Sequence, residues 1–359
     1  MRHSYPLVTA LLCLLLIAAC SGEAPEQATP AAPAPAAQST AAASTEAAAD
    51  ATGIDNRGSE AAAKSGKWWD ALPRADWANF KQVKTSHPWF EVYEVLDGVY
   101  AIYEPGQFEE VISFLIIGRN QALLFDTGLG MGNIRGVVKE LTKKNLVVLN
   151  SHTHYDHVGG NHQFEIVLGR NHPFTLDNAK GASNAEVGEF ARGDWIWKQH
   201  PPTLDANAFR TEPWEFAQWI EEGQFLDLGG VSLEIVYSPG HAPDSIVLVD
   251  HKRRLMFTGD TFYLAPLYTH LDGSSFSDYA DSAAKLAAYA GDIDYLLTSH
   301  NVPLASGDFL LKLDAAFQAI LNESAPFQAT DEGREYRFEG FSIITTDPPD
   351  TGDGIIELL

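Results

Sequence analysis

The chain of 359 residues is strongly acidic, with a formal net charge of −24. Its hydrophobic content of 45% and charged content of 20% are ordinary for a globular protein, and its length allows one large domain or two. The sequence offers no basic stripe that could neutralise phosphate groups, which excludes a nucleic-acid partner.

The first 20 residues have the layout of a secretory signal. Positive charge in Met1–His3 precedes the apolar segment Leu7–Ala19, which is short for a bilayer-spanning helix. The tetrapeptide ending at Cys20 resembles the bacterial lipoprotein processing box, which implies acylation of Cys20 and a stable membrane anchor. Ser21 resembles the signal for outer-membrane export, so we expect a periplasmic or surface location. The alternative is a plain signal peptide with an incidental cysteine.

A change of composition separates a predicted linker from a predicted domain. Residues 21–65 are rich in Ala, Pro, Ser and Thr and contain no aromatic residue. Such a segment cannot bury enough apolar area to order itself, so we expect a flexible, disordered linker. One folded domain is predicted over 66–359. The only cysteines, Cys13 and Cys20, precede it, so a metal in the domain must be bound by His, Asp or Glu.

The first half of the predicted domain combines strands with one helix. Asp97-Gly98 lies between two alternating apolar runs and predicts a hairpin over Phe90–Tyr103. Apolar residues recur at helical spacing between Gly132 and Lys143. Further strands are predicted at Val111–Ile117, Ala122–Phe125 and Leu146–Leu149.

The second half begins with a segment that lacks a strong strand signal. Helical fragments are predicted there at Ala182–Phe190 and Trp214–Glu222. Its tryptophans are interpreted as packing a helical layer onto the sheet or as lining an apolar substrate mouth: Trp195, Trp197, Trp214 and Trp219. The later elements are strands at Ser232–Tyr237, Ser245–Val249, Leu255–Thr258, Tyr295–Leu297 and Arg337–Ile344, with helices at Ser277–Tyr289 and Asp308–Ile320. The pattern predicts an α/β fold or a layered α+β sandwich.

One loop concentrates metal-binding side chains. His152 and His154 alternate on an extended backbone directly after the predicted strand Leu146–Leu149, so they point the same way. Asp156 and His157 then require a turn, and the following Gly159-Gly160 allows sharp backbone geometry. Imidazole and carboxylate groups are ligands that zinc and similar divalent metals prefer.

The His-x-His-x-Asp-His spacing after an apolar strand resembles the signature of the metallo-β-lactamase superfamily. This resemblance covers roughly residues 90–302 and implies a four-layer αββα sandwich of the α+β class with two metals at the sheet edges. It implies that His152 and His154 bind a first metal and that Asp156 and His157 bind a second. Asp156 is also expected to take part in catalysis.

Three later strand ends resemble the remaining positions of the family pattern. His241 follows Ser238-Pro239-Gly240 and resembles the histidine that completes the first site. Asp260 follows Gly259 and resembles the carboxylate that bridges the two metals, while His300 resembles the last ligand of the second site. Asp126 resembles a carboxylate that orients the ligand loop, although it is equally well explained as a turn residue.

The implied activity is that of a hydrolase with two zinc ions, although manganese and iron accept the same ligands. A water shared by two cations loses its proton near neutral pH and becomes a bridging hydroxide nucleophile. Asp at the bridge resembles the lactonase, thioesterase (glyoxalase II-like) and phosphodiesterase branches more than the true β-lactamases. Tyr263 stands where acyl-homoserine lactonases place a phenol that donates to the substrate carbonyl, or it is a packing tyrosine.

We therefore expect a small-molecule substrate, with a carboxylic ester or lactone as the first choice. Thioesterase, β-lactamase and phosphodiesterase activities are the alternatives within the same fold. A non-catalytic, metal-binding surface lipoprotein is the alternative from a different class of protein. It would be indicated by a missing ligand, and the sequence retains all seven.

Overall fold

The structure, a computed structural model, describes residues 68–351 of the chain. The predicted signal sequence at 1–20, the predicted acylation site Cys20 and the predicted linker at 21–65 lie outside the described residues. Within residues 68–351, no helix is both long enough and apolar enough to cross a membrane. The description below concerns the predicted hydrolase domain alone.

The larger sheet has eight strands that lie side by side in chain order. They are β1 (Lys81–Val83), β2 (Glu91–Leu96), β3 (Val99–Tyr103), β4 (Ile112–Ile117), β5 (Gln121–Phe125), β6 (Asn145–Leu149), β7 (Val167–Arg170) and β8 (Gln218–Ile220). Neighbours from β1 to β5 are antiparallel, and neighbours from β5 to β8 are parallel. The predicted hairpin is present as β2 and β3.

The second sheet has six strands in the order β15-β14-β12-β11-β10-β9. Its strands are β9 (Phe225–Asp227), β10 (Ser232–Tyr237), β11 (Ile246–Asp250), β12 (Leu255–Gly259), β14 (Tyr295–Thr298) and β15 (Ala305–Ser306). A small third sheet has the order β13-β18-β17-β16. Its strands are β13 (Pro266–Tyr268), β16 (Gln328–Thr330), β17 (Gly333–Arg337) and β18 (Ser342–Thr345).

The two larger sheets pack face to face around a shared apolar core. Phe114 and Phe125 of the first sheet meet Phe257 of the second, with edge-to-face ring distances of 5.5 and 6.2 Å. Successive residues of β4 point alternately toward this inner core and toward the outer helical layer, and nearly all are buried. A sheet covered on both faces reads as a continuous apolar run, which explains the strong sequence signal of β4.

Helices cover both outer faces. On the first sheet lies α1 (Ile134–Leu141), whose first turn is capped by the Asn133 side chain accepting from the Gly136 amide. Three short helices lie near the same sheet: α2 (Tyr155–Val158), α3 (Pro173–Asn178) and α4 (Asn184–Val187). On the second sheet lie α5 (Phe276–Ala287) and α6 (Phe309–Leu321). The predicted four-layer αββα sandwich of the α+β class is confirmed.

Two predictions of secondary structure are wrong. The predicted helix Trp214–Glu222 contains instead the short strand β8, because β7 offers a parallel edge to which this segment binds. The strand β7 itself was not predicted, since four residues give little periodicity. The predicted strand Arg337–Ile344 is two strands, β17 and β18, joined by a turn at Gly340 with a φ of 86°.

The ends of five strands meet along one edge of the sandwich. β5, β6, β12 and β14 each end there, and the turn from β10 to β11 lies there as well. Each predicted ligand follows one of these strand ends. The scaffold therefore brings side chains that are distant in sequence to one place.

Candidate metal centre

The loop after β6 carries four of the predicted ligands. His152 lies in a bend directly after the strand, and His154, whose backbone is extended, is the residue immediately before α2. The single turn of α2 then carries Asp156 and His157, both of which are buried. The turn that the sequence predicts after His154 is thus a short helix.

The glycines after this loop are required for close packing. The φ angles of Gly159 and Gly160, −56° and −91°, are available to any residue, so the expected sharp backbone is absent. A Cβ atom on Gly159 would lie 2.2 Å from the carbonyl oxygen of Leu129, and one on Gly130 would lie 2.4 Å from that of Gly159. The ligand loop therefore packs directly on the loop that begins at Asp126.

His152, His154 and His241 form one group, called here the three-histidine cluster. The Nδ1 atom of His154 lies 3.0 Å from Nε2 of His152 and 3.0 Å from Nε2 of His241. Burial lowers the pKa of His154 to about 3, and burial also lowers the pKa values of His152 and His241. All three imidazoles are therefore neutral at pH 7, the form that binds metal.

Asp156, His157, Asp260 and His300 form the second group, called here the mixed cluster. Nε2 of His157 lies 3.2 Å from a carboxylate oxygen of Asp156 and 3.2 Å from Oδ1 of Asp260. Nε2 of His300 lies 3.1 Å from the same Oδ1. All four side chains are buried.

The carboxylates of the mixed cluster reverse the effect of burial on its histidines. Burial alone would lower the pKa of His300, but Asp260 and Asp156 outweigh it and raise the pKa to about 9. The pKa of His157 is raised well above its usual value for the same reason. Conversely, burial opposes ionisation of Asp260, but His300 and His157 hold its pKa well below the usual range.

Asp260 lies between the two clusters. Its Oδ1 atom lies 3.2 Å from Nε2 of His157, and Nε2 of His300 lies 3.1 Å from Oδ1 and 3.2 Å from Oδ2. The Oδ2 atom also lies 3.5 Å from Nε2 of His241 in the three-histidine cluster. Oδ1 is fully buried and makes no well-aligned hydrogen bond within the described residues, although Nε2 of His157 and Nε2 of His300 lie within 3.2 Å of it. Two nitrogens that approach a buried carboxylate oxygen without the alignment of a hydrogen bond are the arrangement that a shared cation would stabilise, so this atom fits a metal ligand.

Backbone carbonyls fix the orientation of two of these histidines. Nδ1 of His241 lies 3.2 Å from the carbonyl oxygen of Tyr268, and Nδ1 of His300 lies 2.7 Å from that of Glu109. Each Nδ1–H donates to its carbonyl, so Nε2 is the nitrogen directed into the cluster and carries the lone pair whenever the imidazole is neutral. This is the outer support that metal-binding histidines require.

Comparison with known proteins agrees with this geometry. The sequence pattern of the metallo-beta-lactamase superfamily matches residues 108–316. The chain belongs to the metallo-beta-lactamase superfamily. It is accordingly a hydrolase of that superfamily. Three overlapping groups of its side chains could each hold a metal ion: His152 with His154 and His241, His152 with His157 and Asp260, and Asp156 with His157 and His300.

Individual relatives of this superfamily member are distant. The acyl-coenzyme A thioesterase MBLAC2 of Homo sapiens is 26% identical over 241 residues, which are 59% of this chain and 81% of the relative. The hydroxyacylglutathione hydrolase of Francisella tularensis subsp. novicida is 28% identical over 118 residues, or 32% of this chain and 46% of the relative. Among solved structures, the sec-alkylsulfatase Pisa1 from Pseudomonas sp. has a TM-score of 0.51 at 17% identity, over 65% of this chain and 42% of that one. It shares the fold.

Asp126 connects the superfamily ligand loop to β5. Its Oδ1 accepts from the Ser151 amide at 2.7 Å, and its Oδ2 accepts from the Ser151 hydroxyl at 2.9 Å and from Nδ1 of His157 at 3.0 Å. The sequence left its role open between a turn residue and an orienting carboxylate. Its contacts are those of an orienting carboxylate, and its φ of 66° also makes the turn.

Tyr263 lies beside the mixed cluster. Its ring centre is 4.9 Å from that of His300, and only 5% of the residue is exposed. Its hydroxyl has no hydrogen-bond partner within residues 68–351. Burial, with the Asp260 carboxylate as the next cause, raises the pKa of Tyr263 well above 10, so the phenol keeps its proton.

Sequence reasoning missed two glutamates in the loop between β3 and β4. Glu109 orients His300 through its carbonyl, and its carboxylate accepts from the Tyr155 hydroxyl at 2.7 Å. Burial, reinforced by Asp156, raises the pKa of Glu109 to about 7. Burial likewise raises that of Glu104, which accepts from a backbone amide after β5, to about 7. The sequence signal is only a local excess of acid without a spacing typical of a site.

The predicted roles of the tryptophans divide. Trp214 is buried in the core beneath the first sheet, as the packing interpretation predicts, while Trp219 lies half exposed on the edge strand β8. Trp195 meets Phe108, which is 46% exposed, in an edge-to-face contact of 5.0 Å. Trp197 donates from its indole nitrogen to the carbonyl oxygen of Pro105, in the loop between β3 and β4. Trp195 also packs on Phe190, which stacks on Tyr155 next to the candidate ligands.

The other described histidines belong to neither cluster, as expected. Each contacts a backbone group or an acidic side chain elsewhere: His87, His162, His172, His200, His251 and His270. The predicted selection of ligands by strand-end position therefore separated seven converging residues from six that do not converge.

Proposed function

We propose that this protein is a two-metal hydrolase that cleaves an acyl bond. The observation that carries the proposal is the position of Asp260, whose carboxylate lies within 3.5 Å of histidines from both clusters, His157 and His300 on one side and His241 on the other. The three-histidine cluster would hold one ion and the mixed cluster the other, with zinc as the first choice and manganese or iron accepted. Two such ions supply a hydroxide nucleophile near neutral pH and polarise a carbonyl group.

The chain's own residues would position the substrate and stabilise charge. The hydroxyl of Tyr263 has a proton to donate and no partner within the described residues, so it is available to the carbonyl oxygen as negative charge develops there. Asp126 holds His157 in place, and Asp156 adds negative charge to the mixed cluster. Burial of both clusters excludes bulk water and strengthens these interactions.

A carboxylic ester or lactone is the proposed substrate class, with a thioester as the second candidate. The names of two relatives favour the thioester, since one is an acyl-coenzyme A thioesterase and the other a hydroxyacylglutathione hydrolase. An oxygen ester and a thioester with the same acyl group share the attacked carbonyl and differ only in the leaving group. A matched pair of such substrates therefore separates the two candidates.

The test combines metal analysis with substrate assays on wild type and on two variants. Wild type is expected to bind two ions and to hydrolyse esters, lactones or thioesters in preference to β-lactams and phosphodiesters. His154→Ala and Asp260→Ala remove a ligand from one cluster and the shared ligand, so both should lose metal and activity. Variants that retain wild-type rates and metal content would refute the proposal. Two bound zinc ions without activity on any of these substrates would favour a non-catalytic lipoprotein.

We also propose that the chain is exported and anchored through Cys20. The support is the charged start, the short apolar segment and the processing box at that residue. Labelling with a fatty-acid probe in a bacterial host should mark wild type and the Cys13→Ser control but not Cys20→Ser. Equal labelling of wild type and Cys20→Ser would exclude an anchor at Cys20.

A further inference from the structure

Two residues that precede the first strand contact the loops that hold His300. Arg74 and Trp77 lie in a segment with two short 3₁₀ turns, Trp68–Ala71 and Ala75–Asn79. This segment lies outside the part of the chain that matches the superfamily pattern, residues 108–316. Arg74 and Trp77 together are called here the N-terminal brace.

Arg74 binds Glu110 and Asn301 through its guanidinium group. Nε lies 3.1 Å from one carboxylate oxygen of Glu110, and Nη2 lies 2.5 Å from the other. Nη2 also donates to the side-chain oxygen of Asn301 at 2.8 Å. The Glu110 carboxylate is buried and accepts in addition from the Tyr103 hydroxyl, so its charge is fully paired.

Trp77 contacts the loop of Asn301 from inside the core. It is almost fully buried, with its ring against those of Tyr93 and Tyr103 at 4.6 and 4.4 Å. Its indole Nε1 donates to the backbone carbonyl of Asn301 at 2.9 Å. The brace therefore fixes both the side chain and the backbone of Asn301.

The two residues held by the brace are strained and adjoin the metal centre. Glu110 has a φ of 48° and Asn301 a φ of 65°, both in the left-handed region that side chains disfavour. Glu110 follows Glu109, whose carbonyl accepts from His300, and Asn301 follows His300 itself. The Asn301 amide also donates to the Glu110 carbonyl at 3.3 Å, which joins the two loops.

We propose that Arg74 and Trp77 are positioning residues that hold His300 in the mixed cluster. Without the paired guanidinium, the two strained residues can relax, and the Glu109 carbonyl and the His300 ring move with them. This inference rests on the proposed function, because it takes the mixed cluster to be the second metal site. It adds a part of the chain outside the superfamily pattern to that site.

The decisive variant is Arg74→Ala, with Arg253→Ala as its matched control. Arg253 also pairs with a buried carboxylate, that of Asp250, but in the turn between β11 and β12 at the opposite end of the strands. Zinc affinity at each site is measured by competition with a chelator. The visible spectrum of the cobalt-substituted protein reports the ligand geometry independently of activity.

Arg74→Ala is expected to weaken binding of the second ion by about 10- to 100-fold, the usual effect of removing outer support. Binding of the first ion should change by less than about threefold by the same reasoning, since the three-histidine cluster does not contact the brace. Arg74→Lys should give an intermediate effect because lysine cannot form the two-pronged contact. Arg253→Ala should leave both affinities unchanged.

Trp77→Phe keeps most of the aromatic packing and removes only the bond to Asn301, so it serves if Arg74→Ala does not fold. It should weaken the second ion alone. The proposed role of the brace is wrong if wild type binds two ions and Arg74→Ala binds both with unchanged affinity. If Arg74→Ala does not fold, the same result in Trp77→Phe decides the question. The proposed function would stand in either case. Equal weakening of both ions would show a purely structural role. Fewer than two ions in wild type would refute the proposed function itself.

Discussion

The three-histidine cluster and the mixed cluster lie side by side but carry different charges when metal is absent. The first consists of His152, His154 and His241, whose low pKa values leave it neutral over the physiological range. The second pairs two carboxylates with two histidines that hold protons. An ion entering the first cluster displaces no proton, whereas an ion entering the second must displace the protons that the carboxylates have attracted.

This difference predicts that metal ions would fill the two clusters under different conditions. The pKa of His154 is about 3, and those of His152 and His241 are also lowered, so the three-histidine cluster presents lone pairs at neutral pH. The mixed cluster offers more negative charge, so it gains more from a cation once its histidines are deprotonated. The shared Asp260 links the two, since its oxygens face both clusters.

Removing the shared carboxylate should have the largest effect on the metal affinities of the two clusters. Asp260→Asn keeps the shape of the side chain and removes its charge, so we expect both metal affinities to fall by at least about 100-fold. Hydrolysis should fall at least as far. Titration with zinc under chelator competition measures the two affinities. Loss at one cluster only would show that Asp260 is not shared.

Acidification should empty the mixed cluster first. His300 has a pKa of about 9, so below pH 9 it holds a proton that competes with the ion. Affinity for the second ion should therefore fall about tenfold per pH unit for each displaced proton between pH 8 and 6. Affinity for the first ion should be nearly constant over that range. Parallel decline at both sites would contradict the assigned charges.

Asp126→Asn should weaken one cluster more than the other. The carboxylate accepts from Nδ1 of His157, a member of the mixed cluster. We expect about a 10- to 100-fold loss of affinity for the second ion and a smaller effect on the first, transmitted through Ser151. His87→Ala is a control, because His87 lies outside both clusters and contacts an acidic residue on α1. Unchanged second-ion affinity would show that Asp126 only makes the turn.

Tyr263→Phe should have the smallest effect, confined to turnover. The variant retains the ring against His300 and removes the donor, so both metal affinities should stay at wild-type values. We expect kcat to fall by up to about 100-fold, the low end of the effect of losing one donor to a developing charge, because the metal ions would also stabilise that charge. Steady-state kinetics on the best ester substrate separates kcat from KM. An unchanged kcat would leave Tyr263 a packing residue.

The convergence of the candidate ligands could be predicted because their signals are local. His152, His154, Asp156 and His157 lie within six positions after an apolar strand, and Asp260 and His300 each follow a buried strand. Sheets with both faces covered give long apolar runs, which is why most central strands were found. Short edge strands such as β8 gave no such signal, and its pairing depends on β7 rather than on its own sequence.

The support around the ligands was not predictable for a different reason. The carbonyl groups of Glu109 and Tyr268 are backbone atoms, so no residue type marks them. Arg74 is separated from Asn301 by 227 positions, and nothing in either local sequence indicates the other. Contacts of this kind are fixed by tertiary packing alone.

The small third sheet contacts the three-histidine cluster through the end of one of its strands. Its strand β13 ends at Tyr268, whose carbonyl orients His241, and β13 pairs along its length with β18 at Ser342–Thr345. Both clusters are thus supported by chain outside residues 108–316, His300 from the N-terminal side and His241 from the C-terminal side. A fragment excised at the family boundaries would keep all seven candidate ligands and lose the segments that contact the structure around His300 and His241.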